Sequence, residues 1–334
     1  MSGRESLAVV SASDIDRALT FPGLVDALEA AFRGDLVAPV RHHHGVARPD
    51  GDATLLLMPA WTGCRETAAS ADGAALGVKI VAVFPGNGAR GLASVQGVYY
   101  LADGATGVPR AVFDGARLTL WRTACASALA ARRLARPDAA RMTMVGAGAL
   151  APFLIRAHMS QRPIEAVTIW NRDPAKARAL AADLAAQGLP TTASADLESA
   201  VRAADLVSCA TLSREPLVRG AWLAPGAHLD LVGAFNPSMR EADDEALRRA
   251  AVFVDTPAAL EEGGDVAIAI RDGAIARDHV RGDLFGLCRG AVPGRAHADA
   301  EAITLFKSVG AAIEDLAAAM AVMAVRSVVD GGTG

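Results

Sequence analysis

The sequence predicts an α/β fold: a mostly antiparallel sheet comes first, and a doubly wound parallel sheet follows it. Three observations predict this. Beyond Arg141, short apolar runs ("RMTMVGA", "AVTIWNR", "DLVSCAT", "HLDLVGA", "AVFVDT") alternate with helical stretches such as "DPAKARALAADLAAQ" and "DLESAVRAA". Apolar strands that alternate with helices imply a parallel sheet. The first of those runs leads into a Gly-rich turn and then a helical stretch, "MTMVGAGALAPFLIRAHMSQ". Residues 54–114, by contrast, consist of β-rich runs separated by Gly, Pro and Asn, which reads as a mostly antiparallel sheet.

Taken in order, "SASDIDRALTFPGLVDALEAAFRGD" reads as a short helical start and then an amphipathic helix. Ser11 or Ser13 is placed to cap it, with Asp14 and Asp16 in its first turn. "ATLLLMPAW", "LGVKIVAVF" and "SVQGVYYLAD" read as strands, and "DGATGVPRAVFDG" as a hairpin turn with a further strand. The Ala-rich stretch Leu118 to Ala135 contains neither Gly nor Pro and reads as a helix. After the parallel-sheet region, "LFKSVGAAIEDLAAAMAVMAVRSVV" reads as one last long helix.

Composition bounds the function. The chain has 334 residues, 52% hydrophobic and 21% charged, so it can bury a large core. A net charge of −4 gives no argument for nucleic acid, whose binders concentrate basic charge on one face. The N-terminal residues "MSGRESLAVVSASDIDRAL" contain no apolar h-region and no stretch of about 18 uncharged apolar residues occurs, so neither a signal peptide nor a membrane span is expected. The four cysteines, Cys64, Cys125, Cys209 and Cys288, are scattered without a C-x-x-C pair. They fit a reducing cytoplasm better than a disulfide framework or a zinc site. His42, His43 and His44 are consecutive on a strand and point to alternate faces, so they cannot all converge on one ion, and no metal is expected.

Gly146, Gly148 and Ala151 form G-x-G-x-x-A between a strand and a helix. Glycines there permit the tight turn and the approach of backbone N–H groups to a pyrophosphate, and the helix N-terminus adds partial positive charge. The alternative is a tight strand–helix turn that holds no ligand. The next strand ends in Asn171 and Arg172, where an NAD-specific site usually places Asp or Glu. Asn does not repel a 2′-phosphate and Arg pairs with one, so NADPH is favoured, with NADH also possible. Asp173 is placed to cap the following helix, and Lys176 reads as a solvated helix residue.

Candidates for substrate binding lie earlier: Arg41 in "PVRHHH", Lys79 in "GVKIV", Ser94 and Gln96 in "GLASVQG", and Arg122 in "LWRTA". Lys79 interrupts an apolar strand pattern. Either its stem packs while the amine reaches solvent, or it is buried and must be paired. Several cations in an otherwise apolar region suit an anion, most simply a carboxylate.

From about Arg41 to Ala319 the chain resembles the ornithine cyclodeaminase/mu-crystallin family. The resemblance is carried, in order, by "LGVKIVAVFPGN", "GLASVQGVYYLADGATGVPRAVFDGARLTLWRTACASALAARRLAR", "VGAGALA", "VTIWNR", "ADLVSCAT", "PGAHLDLVGAFNPSMRE" and "LFKSVGAAIEDLAAA". It implies a Rossmann-type doubly wound sheet (residues 121–305) inserted into an α+β substrate-binding and dimerisation domain (1–120 with 306–334), and a homodimer joined through the first sheet. It also implies that Arg41, Lys79 and Arg122 hold a substrate carboxylate, and that Ser94 is the family's small hydroxyl residue. The implied cofactor positions are the turn Gly146, Gly148, Ala149, Leu150 and Ala151, with Thr123, Asn171, Arg172, Thr211, Val232 and Gly233.

One departure selects among the family's activities. Cyclodeaminases carry a catalytic Asp after the "VGG" or "VGA" strand end, where this chain has Phe235. A carboxylate there can take a proton, and a phenyl ring cannot. The resemblance therefore implies NAD(P)H-dependent reduction of a cyclic ketimine carboxylate, Δ1-pyrroline-2-carboxylate or Δ1-piperideine-2-carboxylate, to L-proline or L-pipecolate, with Phe235 as an apolar wall near the ring. The alternatives are an ornithine cyclodeaminase or alanine dehydrogenase type of enzyme, and a crystallin-like protein that holds NADPH and a small ligand.

Overall fold

The computed structural model describes residues 7–49, 51–63, 74–295 and 300–331. Cys64 lies outside them. The chain divides into two compact units, one formed by the residues up to Arg122 together with those from Ala311 on, the other by Thr123–Gly310.

The chain enters through β1 (Ala8–Val10), α1 (Ala12–Ala18) and α2 (Phe21–Arg33). Of the two candidate caps, Ser11 is the one used: its hydroxyl accepts the Asp14 N–H, and the Asp14 carboxylate accepts the Ser11 N–H in return. Thr20 caps α2, which buries Leu24, Val25, Leu28 and Phe32 along one stripe. There follow β2 (Leu36–Val37), β3 (His42–Val46), β4 (Ala53–Thr62), β5 (Ala75–Val83), β6 (Val95–Asp103) and β7 (Pro109–Asp114). They form a sheet in the order β1-β7-β6-β5-β4-β2, with β3 also on β4; all pairs are antiparallel except β1 with β7. In the turn between β6 and β7, Asp103 accepts the N–H groups of Ala105 and Thr106, and Gly107 takes φ +73°. Along β5 the side chains alternate, so Lys79 falls on the same buried face as Ala75 and Val81.

Helix α3 (Gly115–Leu134) leads to β8 (Arg141–Val145), α4 (Ala151–Met159), β9 (Ala166–Trp170), α5 (Pro174–Ala186), β10 (Thr191–Ala193), α6 (Leu197–Arg202) and β11 (Leu206–Cys209). Then come β12 (His228–Leu231), α7 (Asp244–Arg249), β13 (Ala250–Val254), α8 (Ala259–Glu262), α9 (Gly264–Arg271), β14 (Val280–Asp283), α10 (Leu284–Arg289), β15 (Ile303–Lys307) and α11 (Ala312–Gly331). The second sheet is parallel throughout, in the order β10-β9-β8-β11-β12-β15-β13-β14. Its strand order reverses between β8 and β11, and in open parallel sheets ligands bind beyond the strand ends at such a switch point.

One sequence expectation is corrected here. The stretch expected to form a single helix from Leu305 begins instead as a strand: Leu305, Phe306 and Lys307 belong to β15, which is buried along its whole length between β12 and β13. Gly310, at φ +82°, separates it from α11. A short apolar run fits a buried strand and a buried helix equally, and here the two adjoin. Helix α11 packs on α2, β4 and β5 in the first unit. Among the described residues no helix is long and apolar enough to cross a membrane.

Candidate active site

In the second unit, β8 runs into Gly146, whose φ of +116° favours glycine. A Cβ there would also come within 2.6 Å of the Ala210 carbonyl, so the turn must pass close to the end of β11. Gly148 differs: a Cβ would meet nothing within 4 Å, so none of the described residues demands glycine at that position. Its lack of a side chain keeps open a cleft of about 310 Å³, which Gly146, Gly148, Asn171, Arg172, Lys176 and Thr211 help to line. Ala149 and Leu150 turn the chain into α4, and Ala151 is that helix's first, buried residue. No side chain caps α4; the Ala151 N–H donates to the Gly148 carbonyl and the Phe153 N–H to the Leu150 carbonyl, so what the helix start offers an anion is the positive end of its dipole.

At the end of β9, Asn171 donates to the Asp173 carbonyl at 3.1 Å, and the Asp173 carboxylate caps α5 through the Ala175 N–H. Arg172 is exposed, as is Lys176, which the sequence suggested was only a solvated helix residue but which also lines the cleft. Beyond β11, the Thr211 N–H and hydroxyl donate to Glu241 at 2.6 and 2.8 Å. Val232 and Gly233 are buried after β12, and the Gly233 N–H also donates to Glu241, at 2.7 Å. Burial, reinforced by Asp265, pushes the Glu241 carboxyl up to about 7 against the opposing pull of Lys307 and of the Thr211 donors. Thr123 is buried in α3.

The first unit holds a second constellation. Lys79 is 2% exposed, with its Nζ 2.8 Å from Asp315 Oδ2 and 3.4 Å from the Thr119 hydroxyl. Arg122 donates from Nη1 to Glu314 at 2.7 Å and from Nε to Asp315 at 3.1 Å. Both acids are wholly buried. Burial, and then the neighbouring Arg122 charge, lower Lys79 from its usual range to about 8 despite Asp315. The structure thus brings Lys79 and Arg122 together through Asp315. Arg41 stands half-buried just ahead of β3, and Ser94 lies exposed in the turn before β6, where its carbonyl accepts the Phe84 N–H. Phe235, beyond β12 in the second unit, is 42% exposed.

Sequence reading missed the acids. Glu314 and Asp315 left one signal, two adjacent carboxylates inside the apolar run "GAAIEDLAAAM". Lys307 left a similar one, a cation ending the run "ITLF". Glu241 left none, since it sits in a polar stretch that reads as solvated, and Asp265, between "EEGG" and "VAIAI", reads as the polar start of a helix.

A parallel sheet with a glycine turn at its switch point, the N-terminus of a helix behind the turn and cations lining the cleft defines a dinucleotide-binding α/β protein. These residues fit a nicotinamide dinucleotide: the open space at Gly148 accommodates a pyrophosphate, and Arg172, Asp173 and Lys176 line the cleft at the end of β9 and the start of α5. The chain belongs to the ornithine cyclodeaminase/mu-crystallin family, whose family model matches residues 5–327. It is 40% identical over 294 residues to the Δ1-pyrroline-2-carboxylate reductase of Paracoccus denitrificans, covering 87% of this chain and 89% of that one. Among solved structures it is similar to Thermococcus litoralis Δ1-pyrroline-2-carboxylate reductase in complex with NADH and L-proline, with a TM-score of 0.89, 30% identity and coverage of 97% and 98%. It is also similar to an archaeal alanine dehydrogenase dimer with bound NAD, with a TM-score of 0.86, 28% identity and coverage of 97% of each chain.

Proposed function

We propose that this protein is a reductase that uses NAD(P)H to convert a cyclic ketimine carboxylate to the cyclic amino acid, Δ1-pyrroline-2-carboxylate to L-proline or its six-membered homologue to L-pipecolate. The observation that carries the choice of reaction is Phe235, an exposed aromatic ring in the segment beyond β12. Deamination needs a proton acceptor at that position, and reduction does not. The likeness to two Δ1-pyrroline-2-carboxylate reductases over nearly the full length of each supports the same choice.

The substrate enters as an iminium, already electrophilic at C2. Bound in the cleft, a reduced nicotinamide supplies the hydride that C2 accepts, and the ring nitrogen keeps its proton. The protein's share is orientation and charge placement. Lys79 and Arg122, with Arg41, hold the substrate carboxylate. Glu314 and Asp315 fix the direction of the first two cations before substrate arrives. Phe235 packs against the ring. In the cleft, the Gly146–Gly148 turn and the start of α4 hold the pyrophosphate, and Arg172 with Lys176 holds a 2′-phosphate, which makes NADPH the preferred cofactor and NADH the weaker one.

The chain acts as a homodimer in the cytoplasm, joined through the outer face of its first sheet. Leu76, Ile80 and Val98 are large apolar residues exposed on that face, and Ile80 stands opposite Val98 in register. Light scattering at micromolar concentration should give twice the 34.3 kDa chain mass, and a monomer would refute the dimer. The function is tested by following NADPH oxidation with each cyclic imine in turn. Turnover with at least one is expected. Tight NADPH binding without turnover of either would mark a ligand-holding protein instead.

A further inference from the structure

A group of three buried charges, Glu241, Asp265 and Lys307, lies in the second unit, and the reaction above does not use it. Glu241 directs both carboxylate oxygens at backbone. Oε1 accepts the Thr211 N–H and hydroxyl at 2.6 and 2.8 Å, and Oε2 accepts the N–H groups of Gly233 and Ala234 at 2.7 and 3.3 Å. One side chain therefore ties together the segments that leave two neighbouring strands, β11 and β12. The tie is close: a Cβ on Gly233 would run into the Thr211 backbone and the Glu241 carboxylate. Glu241 is itself held, because its N–H and that of Ala242 donate to Asp265 Oδ1 at 2.7 and 2.9 Å, while Asp265 Oδ2 lies 3.2 Å from Lys307 Nζ.

Thr211 also lines the nucleotide cleft, opposite the end of β9 across the glycine turn, since β8 lies between β9 and β11. We propose that Glu241 is a positioning residue, which sets the β11 side of the cleft by fixing Thr211 and Gly233 against each other so that a whole dinucleotide, rather than only its adenosine half, is held. This rests on the reading of the cleft as a dinucleotide site. Burying three ionisable groups is costly unless each is paired, and a carboxylate that accepts four donors at once accounts for placing one here.

The test compares two ligands on the intact protein, the more tightly bound of NADPH and NADH, and adenosine 5′-diphosphate, which needs only the glycine turn and the β9 side. Glu241→Gln puts an amide donor where a backbone donor already points. It should weaken dinucleotide binding by about tenfold and change adenosine 5′-diphosphate binding by less than about twofold. Should that variant not fold, Thr211→Val removes one of the four donors and should weaken the dinucleotide alone, by about threefold. Unchanged dinucleotide binding, or an equal loss for both ligands, overturns the role given to Glu241. A wild-type protein that binds neither dinucleotide overturns the cleft reading itself.

Discussion

The two units of this chain each bury a knot of charge, and the knots are built differently. In the first, two cations meet two carboxylates, Lys79 and Arg122 against Glu314 and Asp315, side chain to side chain. In the second, two carboxylates meet one cation, and the carboxylates are satisfied mainly by backbone N–H groups. A side-chain pair can exchange partners with an arriving carboxylate. A carboxylate that holds several amides cannot let go without moving the chain. The first knot suits chemistry and the second suits the geometry of a binding wall.

The comparison breaks most readily at Lys79. Lys79→Ala leaves Asp315 buried and removes part of the clamp. Truncating one partner of a buried charge pair costs about 2–5 kcal/mol, so kcat/KM for the imine should fall roughly thirty- to several-thousand-fold. Near-normal efficiency would make Lys79 a structural residue only. Arg172→Ala comes next: loss of a charged hydrogen bond of about 1.5–3 kcal/mol should raise the NADPH KM roughly ten- to a hundred-fold and leave NADH nearly unchanged. Equal losses with both cofactors would show that Arg172 serves the fold.

A matched pair of variants sharpens the contrast. Asp265→Asn strands two backbone donors or Lys307 and should lower stability by about 1–3 kcal/mol, seen as a fall of a few degrees in Tm, with the imine KM little changed. Asp315→Asn should move the imine KM as well. If both variants shift only Tm, the two knots do the same work. The smallest effect is in pH. Lys79, lowered to about 8, contributes its charge to the clamp below that value and loses it above, while Arg122 and Arg41 stay charged. Imine kcat/KM, corrected for the fraction of substrate present as iminium, should be level up to about pH 8 and then fall by up to about tenfold per unit. A profile flat to about pH 9.5 would contradict this.

How much of this was legible in the sequence depended on range. Ser11 could be read as a cap because its partner Asp14 is three residues away. Lys79 stood out because a charge in an apolar strand requires a partner, but the partner itself, Asp315, lies 236 residues further on. The Gly146 turn was readable from its flanking strand and helix. Strands β1, β10 and β14 span too few residues for a period-two pattern to register, and β15 merged with the helix after it. Glu241 sits in "NPSMREADDEA", which has the composition of a solvated loop, and only the fold of that segment back onto Gly233 buries it.

The central claim is that the charge clamp and Phe235 serve reduction of a cyclic imine and not deamination. The most direct measurement puts both reactions to one preparation: NADPH oxidation with Δ1-pyrroline-2-carboxylate and Δ1-piperideine-2-carboxylate, and ammonia release from L-ornithine with NAD. Rapid oxidation with at least one imine and negligible ammonia are the predicted result. Ammonia release at a rate comparable to imine reduction would contradict it.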